Sequence, residues 1–491
     1  MTSGLELVDQ LLAFARRTPA APAVVDARVS FTFGDLAKQA AALAGLLAGQ
    51  GVEPGGRVGY LGDGRAEAVV TLLATWSLGA TAVLIDPASG AAAIAGALQA
   101  FPPELLVQPA GVAPRFGRTL QLRLPLERAG SAGRRPPALS ASDKAPGAVV
   151  FTSGSTGHPK GVLVSRRALA ASAAAVSGYL SLEPSDAGAL LVPMATRMGL
   201  SSTLAHLASG SALLLEAGVL GGGGGFQNRH AAGAATSIIC VPTQLRVLLD
   251  RGLLAAAAFP RLRAVRVGAG ALSSRDVDRL SAACPGAELL LTYGTSETGE
   301  ISIARGEDLA LPGCVGRPLP DVALTLLDAA GQPRRGGERG EIAVASPRVM
   351  SRYHDAPADL VGAHRTGDVG RLVGGRLFLE GREREIVKSG GETVSPLAVE
   401  RVLREQPGVA EAAVIGVPDP LLGEAPVAFV VARSGEAAPE PGTLRAACAV
   451  QLSRLSVPRR IVFLDAIPRL PSGKPDRPAL LILASGRGPT A

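Results

Sequence analysis

The sequence predicts an α/β protein: a large N-terminal domain of mainly parallel βα sheets, a small β subdomain, and a smaller, mobile α+β C-terminal domain. Three observations carry this. Short apolar runs alternate with helical patterns through the first two-thirds of the chain; from about residue 312 the texture shifts to short strands set off by Gly/Pro turns; and a compact α+β pattern closes the chain. The charged stretch GREREIVKSGGE (381–392) marks the join, so domains are expected at 1–381 and 382–491.

In order along the chain, MTSGLELVDQLLAFARRTP sets Leu5, Val8, Leu11, Leu12 and Ala15 at helical spacing and lacks a basic start. That reads as an amphipathic first helix and not a signal peptide. The runs RVGYL, TAVLID, GAVVFTSG, GALLVPM, SIICVP, RAVRVGAG and ELLLTYGT each precede turn residues and helical patterns, as βαβ units require. The GGGGG at 221–225 reads as a flexible surface loop. DVALTLLDAAGQP, GEIAVAS and RLVGGRLFLEG then read as a hairpin-rich subdomain. Beyond the join come helix PLAVERVLREQ, strands EAAVIGVP and APVAFVVARS, helix TLRAACAVQLSRL and strand RRIVFLDAIP.

Composition narrows the function. With 491 residues and 47% apolar content the chain can bury a sizeable core, which excludes disorder. No run of eighteen strongly apolar residues occurs, so no membrane span is expected. Cys240, Cys284, Cys314 and Cys448 lack metal-ligand or paired spacing and are expected reduced and buried, in a cytoplasmic protein. The net charge of +7 does not indicate nucleic acid: no Lys/Arg run reaches five, and aromatics, at 3%, offer few stacking platforms. Of the 49 basic residues only five are lysines: Lys38, Lys144, Lys160, Lys388 and Lys474. Arginine replaces lysine freely on a solvated surface, but not where a compact, mobile ammonium must meet a phosphate. Three of the five lie inside motifs.

FTSGSTGHPKG (151–161) has the composition of a phosphate cradle and opens directly from a buried strand. It is not a P-loop, because Pro159 stands where that pattern needs glycine; a plain Ser/Gly linker is the alternative. LTYGTSETG (291–299) is either an ordinary strand-end loop or a site where Tyr293 stacks on a purine and Glu297 binds phosphate-bound Mg²⁺. HRTGDVGRL (364–372) sets Asp368 in a turn between strands, as an Asx cap or as an acceptor for two ribose hydroxyls. LPSGKPDR (470–477) carries Lys474 on a loop bracketed by Gly and Pro.

Together with VGAGALS, GCVGRPLP, GERGEIAV and GREREIVKSGGETVSP, these motifs stand in the order of the AMP-forming acyl-CoA synthetase, adenylation-domain and luciferase superfamily, which the chain resembles over nearly its whole length. The resemblance implies that a carboxylate attacks the α-phosphate of ATP, releasing pyrophosphate, and that a thiol then displaces AMP. It implies that Thr152, Ser153, Gly154, Ser155, Thr156, Gly157 and Lys160 line the phosphates. Gly268, Ala269 and Gly270 would flank the adenine, Tyr293 stack on it, and Asp368 hold the ribose with help from Arg382. Thr295 and Ser296 would lie by the α-phosphate, with Glu297 on Mg²⁺. Lys474 would bridge carboxylate and α-phosphate. Arg384 falls at the hinge, and the face holding Lys388, Ser389, Gly390 and Gly391 would be presented to the thiol of CoA, with 385–388 read as a strand and a plain surface lysine the alternative for Lys388.

The acid-gating stretch VPMATRMGLSS (192–202) departs from the family's P-[LM]-F-H-x-x-G, with Ala195 and Thr196 in place of Phe-His. Thr196, Arg197, Gly199 and Leu200 are candidate pocket residues, Arg197 meeting an anionic tail or solvent. No Asp stands here to pair with a substrate ammonium, which disfavours α-amino acids. Arg352 replaces the family's Gly before Tyr353. The expected activity is a carboxylate:CoA ligase for a fatty or aryl acid, using ATP, Mg²⁺ and CoA. Loading of an acyl carrier protein is the alternative acceptor chemistry, and an inactive nucleotide-binding scaffold ranks below both.

Overall fold

The computed structural model describes residues 4–62, 65–111, 117–126, 145–152, 159–216, 234–335, 337–470 and 475–485. The GGGGG run, Ser153, Gly154, Ser155, Thr156, Gly157 and Lys474 lie outside the described residues. The first helix forms as expected, Gly4–Arg17. Among the described residues no helix is long and apolar enough to cross a membrane. The four cysteines are free and buried.

Two large sheets make the N-terminal part. In the seven-stranded sheet, Thr119–Leu122, Leu105–Pro109, Arg57–Leu61, Thr81–Ile85 and Pro146–Thr152 run parallel, and Lys160–Ser165 and Arg352–Tyr353 close the edge antiparallel. In the nine-stranded sheet a parallel centre (Pro22–Val25, Ala212–Leu215, Ala187–Leu190, Ser237–Cys240, Ala264–Gly268, Glu288–Thr295) gains antiparallel strands at both edges. Strands Thr81–Ile85 and Ser237–Cys240 are buried at every residue, which is why they read as unbroken apolar runs: helices cover both faces. One core cluster, including Val24, Leu43, Val69, Leu84, Val150, Leu169, Leu204 and Leu213, joins the two sheets. Trp76, the chain's one tryptophan, is fully buried in it and donates its indole N–H to the Gly147 carbonyl at 2.8 Å.

The expected β subdomain is a four-stranded antiparallel sheet, Ala323–Leu327, Gly340–Ala345, His364–Val373 and Arg376–Arg382. Its small core (Leu326, Ile342, Val344, Leu377) includes Tyr293 and Ile301 from the nine-stranded sheet, so the two sheets pack through this cluster. One sequence expectation fails here. Asp368 is not in a turn but inside the strand His364–Val373, opposite Arg382. Gly367, at φ +71°, and a bulge at Val369/Gly370 absorb the irregularity, so the strand continues through a stretch whose glycines look like a turn.

The C-terminal part is a five-stranded sheet built on the long hairpin Val409–Asp419 and Gly423–Ala432, with Arg460–Phe463 alongside. Helices Pro396–Arg404 and Pro441–Gln451 fill one core cluster (Val399, Leu403, Val430, Leu444), and Arg477–Ala484 fills a second (Phe429, Leu480). The strand expected at 385–388 is shifted: Glu383–Glu385 is a single 3₁₀ turn and the strand is Val387–Ser389.

Candidate active site

The seven-stranded sheet fixes both ends of the Gly-rich loop. Thr152 and Lys160 are register partners across an antiparallel pair. Lys160 extends its ammonium over the ring of Tyr353, 5.5 Å from the centroid. The Tyr353 hydroxyl in turn donates to Glu297 Oε1 at 2.9 Å. Burial and the Glu297 carboxylate push the Tyr353 phenol well above its ordinary pKa, so it stays a donor. The backbone is tied at the same points: Met350 N–H donates to the Glu297 carbonyl, and Gly161 N–H donates to His354 Nδ1 at 3.0 Å.

The nine-stranded and four-stranded sheets supply the other half. Tyr293 donates its hydroxyl to Asp368 Oδ2 at 2.8 Å, and Arg382 Nε meets Asp368 Oδ1 at 3.0 Å. Burial pushes the Tyr293 phenol well up, and the adjacent carboxylate pushes it further. Burial works against the Arg382 charge, but Asp368, Glu385 and Glu297 outweigh it and hold its pKa high. Arg382 therefore feels both carboxylates, which shows that Glu297 and Asp368 belong to one electrostatic neighbourhood. Beside them, Gly268 ends its strand against Met198 and Thr292, and Ala269 takes a left-handed φ of +61°. A non-glycine residue there costs roughly 1–2 kcal/mol of backbone strain, which marks the turn as held for a reason. Ala269 and Gly270 are exposed at that rim. Thr295 and Thr298 hydroxyls, 3.1 Å apart, shape the loop, and Ser296 is half-buried on it.

The four candidate pocket residues are employed differently from the expectation. Thr196 caps the helix Arg197–Ala208: its Oγ1 accepts from Gly199 N–H at 3.0 Å and donates to the Pro193 carbonyl at 2.7 Å. Gly199 is glycine because a Cβ would lie 2.1 Å from the Pro193 carbonyl oxygen. Leu200 is fully buried in the main core. Arg197 reaches neither solvent nor an open pocket; only 4% exposed, it donates through Nη2 to Ser172 Oγ (2.8 Å) and the Arg348 carbonyl (2.9 Å). Its guanidinium lies against Gly299, behind the Thr295–Gly299 loop. Burial lowers the Arg197 pKa to about 10, partly offset by Glu300.

Glu300 is the hub behind that loop. It takes Arg266 Nη2 at 2.5 Å and Ser201 Oγ at 2.8 Å on one oxygen, and its backbone carbonyl accepts from Arg348 Nε. Burial alone would raise its pKa; the Arg266 guanidinium and the Ser201 hydroxyl outweigh that and hold it low. Sequence reasoning missed Glu300, Arg266 and Arg348. For Arg266 and Glu300 the available signal was a charge inside strands that are otherwise apolar, AVRVG and GEISIA; Arg348, in a turn, carried none. Arg352 is accounted for locally, donating to the Ala356 carbonyl at 2.9 Å and pairing with Asp359.

In the C-terminal part, Arg384 is exposed in the 3₁₀ turn between the sheets, and Lys388 is exposed on its strand. Ser389 is buried, and Gly390 and Gly391 form the exposed tip joining Val387–Ser389 to Glu392–Val394. The neighbours nearest Gly390 are Leu422 and Leu455 of the same C-terminal part. The structure thus brings Thr152, Lys160, Tyr293, Glu297, Asp368 and Arg382 together, while the tip of this hairpin lies against Leu422 and Leu455.

Glu297 suits a hard cation: it is half-buried, and its Oε1 is steadied by a phenol donor. Among the described residues no group of three His, Cys, Asp or Glu could hold a metal ion. A lone carboxylate is the contribution expected of a protein toward Mg²⁺ that arrives on substrate phosphates.

Residues 11–354 match the family model of the AMP-binding enzyme, and residues 398–474 match that of the AMP-binding enzyme C-terminal domain. A probable CoA ligase of Humulus lupulus is 32% identical over 67% of this chain and 64% of that protein. The indoleacetate–CoA ligase of Aromatoleum aromaticum is 30% identical over 96% of both chains. Among solved structures, an amide bond synthetase from Marinactinospora thermotolerans superposes with a TM-score of 0.85 at 30% identity, covering 98% of this chain and 99% of that one.

Proposed function

The chain belongs to the AMP-binding enzyme family, and on that footing we infer that it is an AMP-forming ligase that joins a carboxylic acid without an α-amino group to the thiol of CoA. The observation that carries this reading is the convergence of three sheets. Lys160–Tyr353–Glu297 and Tyr293–Asp368–Arg382 form two adjoining polar clusters, one suited to a polyphosphate and one to a ribose.

In the first half-reaction a carboxylate oxygen forms a bond to the α-phosphorus, and the bond from that phosphorus to the β-bridging oxygen breaks, releasing pyrophosphate. Charge builds on the leaving group, where Lys160 and the Gly-rich loop supply donors. Glu297 would hold the Mg²⁺ that arrives on ATP, whose charge would neutralise further phosphate charge. Asp368, oriented by Tyr293 and Arg382, accepts the ribose hydroxyls and fixes the nucleotide for in-line attack. Lys474 approaches both carboxylate and α-phosphate. In the second half-reaction the thiol sulfur bonds to the acyl carbon, the acyl–oxygen bond to AMP breaks, and the thiol proton leaves to solvent.

The acceptor is the part of this reading most open to a competitor. Helix capping by Thr196 replaces the family's Phe-His gate, and the amide bond synthetase is a close structural neighbour, so an amine is the competing nucleophile. An acyl carrier protein offers the same phosphopantetheine thiol as CoA. The test incubates a panel of fatty, aryl and amino acids with Mg-ATP and follows pyrophosphate and AMP, then adds CoA, carrier protein bearing a free phosphopantetheine thiol, or an amine. Acid-dependent pyrophosphate release with thioester formation on CoA is expected. Release only with α-amino acids, or acyl transfer to amines alone, refutes the reading.

A further inference from the structure

Lys160 and Glu297 are opposite charges serving the same phosphates from two different sheets, and an unshielded pair of this kind would neutralise itself before any nucleotide arrived. Tyr353 stands between them. Its ring face receives the Lys160 ammonium at 5.5 Å, and its hydroxyl, at the far end of the ring, donates to Glu297 Oε1 at 2.9 Å. The segment carrying it is anchored to both. Tyr353 pairs with Val162, two residues from Lys160, His354 N–H donates to the Gly161 carbonyl, and Met350 N–H donates to the Glu297 carbonyl.

We propose that Tyr353 is a positioning residue that holds Lys160 and Glu297 apart, the cation on its π face and the carboxylate on its hydroxyl, so that each meets the nucleotide unpaired. This rests on the nucleotide-binding reading above and goes beyond it by assigning a role to a residue outside the phosphate, ribose and lysine motifs. The chemistry is specific to tyrosine: phenylalanine keeps the cation seat and loses the carboxylate donor, while leucine loses both. Among the described residues, Arg382 and the buried His364 also feel Glu297, and burial holds the His364 pKa low, so it does not replace the donor as a cation.

Calorimetric nucleotide binding, with and without Mg²⁺, separates the roles without relying on turnover. For Tyr353→Phe, Mg-ATP affinity is expected to fall roughly 10-fold, the scale of a lost hydrogen bond to a charged group, while ATP in excess chelator binds within about twofold of wild type. For Tyr353→Leu both affinities fall, because Lys160 can now pair with Glu297. Adding Glu297→Gln to Tyr353→Leu then restores the metal-free ATP affinity, since no carboxylate competes for the ammonium. A purely structural tyrosine gives equal losses with and without metal and no recovery in the double variant; either result overturns the proposal. If the wild type binds no ATP at all, the nucleotide reading falls and takes this inference with it. Unequal variant behaviour on a binding-competent wild type therefore bears on Tyr353 alone.

Discussion

Replacing Asp368 with asparagine removes one charge from the ribose side while keeping its size. In the wild type this carboxylate is 7% exposed, accepts the Tyr293 hydroxyl at 2.8 Å and meets Arg382 Nε at 3.0 Å. Both partners orient it toward the two ribose hydroxyls. A hydrogen bond to a charged acceptor contributes about 1.5–3 kcal/mol, so Asp368→Asn should raise the KM for ATP by roughly 10- to 150-fold. The ribose is held equally in ground and transition states, so kcat should change by less than about threefold. Tyr293→Phe deletes only the orienting bond and should cost roughly 2- to 12-fold in the same KM. The assay is acid-dependent ATP–pyrophosphate exchange at saturating acid, repeated with 2′-deoxy-ATP. Wild type should be penalised by the missing hydroxyl and Asp368→Asn should be nearly indifferent to it. A variant that loses kcat at unchanged KM, or that is penalised by the deoxy substrate as strongly as wild type, refutes the ribose assignment.

Three further outcomes follow from buried charge and from the Lys474 assignment. His206 is fully buried and burial lowers its pKa from 6.5 to about 4, so between these values the unfolded chain binds a proton that the folded one refuses. Stability should therefore fall as pH drops from 6.5 to 4, by about 3 kcal/mol at most, and His206→Asn should flatten that slope in urea unfolding followed by Trp76 fluorescence. Glu300→Gln strips the buried Arg266 and Arg197 of their shared counter-charge and should cost about 3–5 kcal/mol by the same probe; Arg266→Met, which leaves Glu300 its Arg197 neighbour, should cost less. Lys474→Ala should abolish adenylate formation while a preformed acyl adenylate still reacts with CoA; equal loss of both half-reactions contradicts its assignment.

The strand runs and the change of texture near residue 312 were legible because parallel strands covered on both faces must be apolar throughout, and because hairpins advertise themselves by Gly and Pro. Short edge strands were not: Arg317–Pro318 and Arg352–Tyr353 are two residues each and carry no period to read. Asp368 reads as sharing its task with Arg382, which does stand opposite it, but as a turn residue, since a bulged strand with Gly367 has the composition of a turn. Arg197 illustrates a second limit. Its position in the gating stretch leaves open an anionic tail or solvent, but the helix face that it occupies points to Ser172 and the Arg348 carbonyl, a fact of tertiary packing that no local pattern encodes. Tyr353 was visible as a motif residue; its service to Lys160 and Glu297 depends on two sheets meeting.

Acyl transfer through a mixed anhydride with AMP leaves an atomic trace. With a substrate acid labelled by ¹⁸O in both carboxylate positions, mass spectrometry of the nucleotide product after one round of thioester formation reads the route directly. One labelled oxygen should appear in AMP, inherited from the carboxylate that attacked the α-phosphorus. Label in inorganic phosphate, with ADP as the nucleotide product, would instead place attack at the γ-phosphorus and contradict the account.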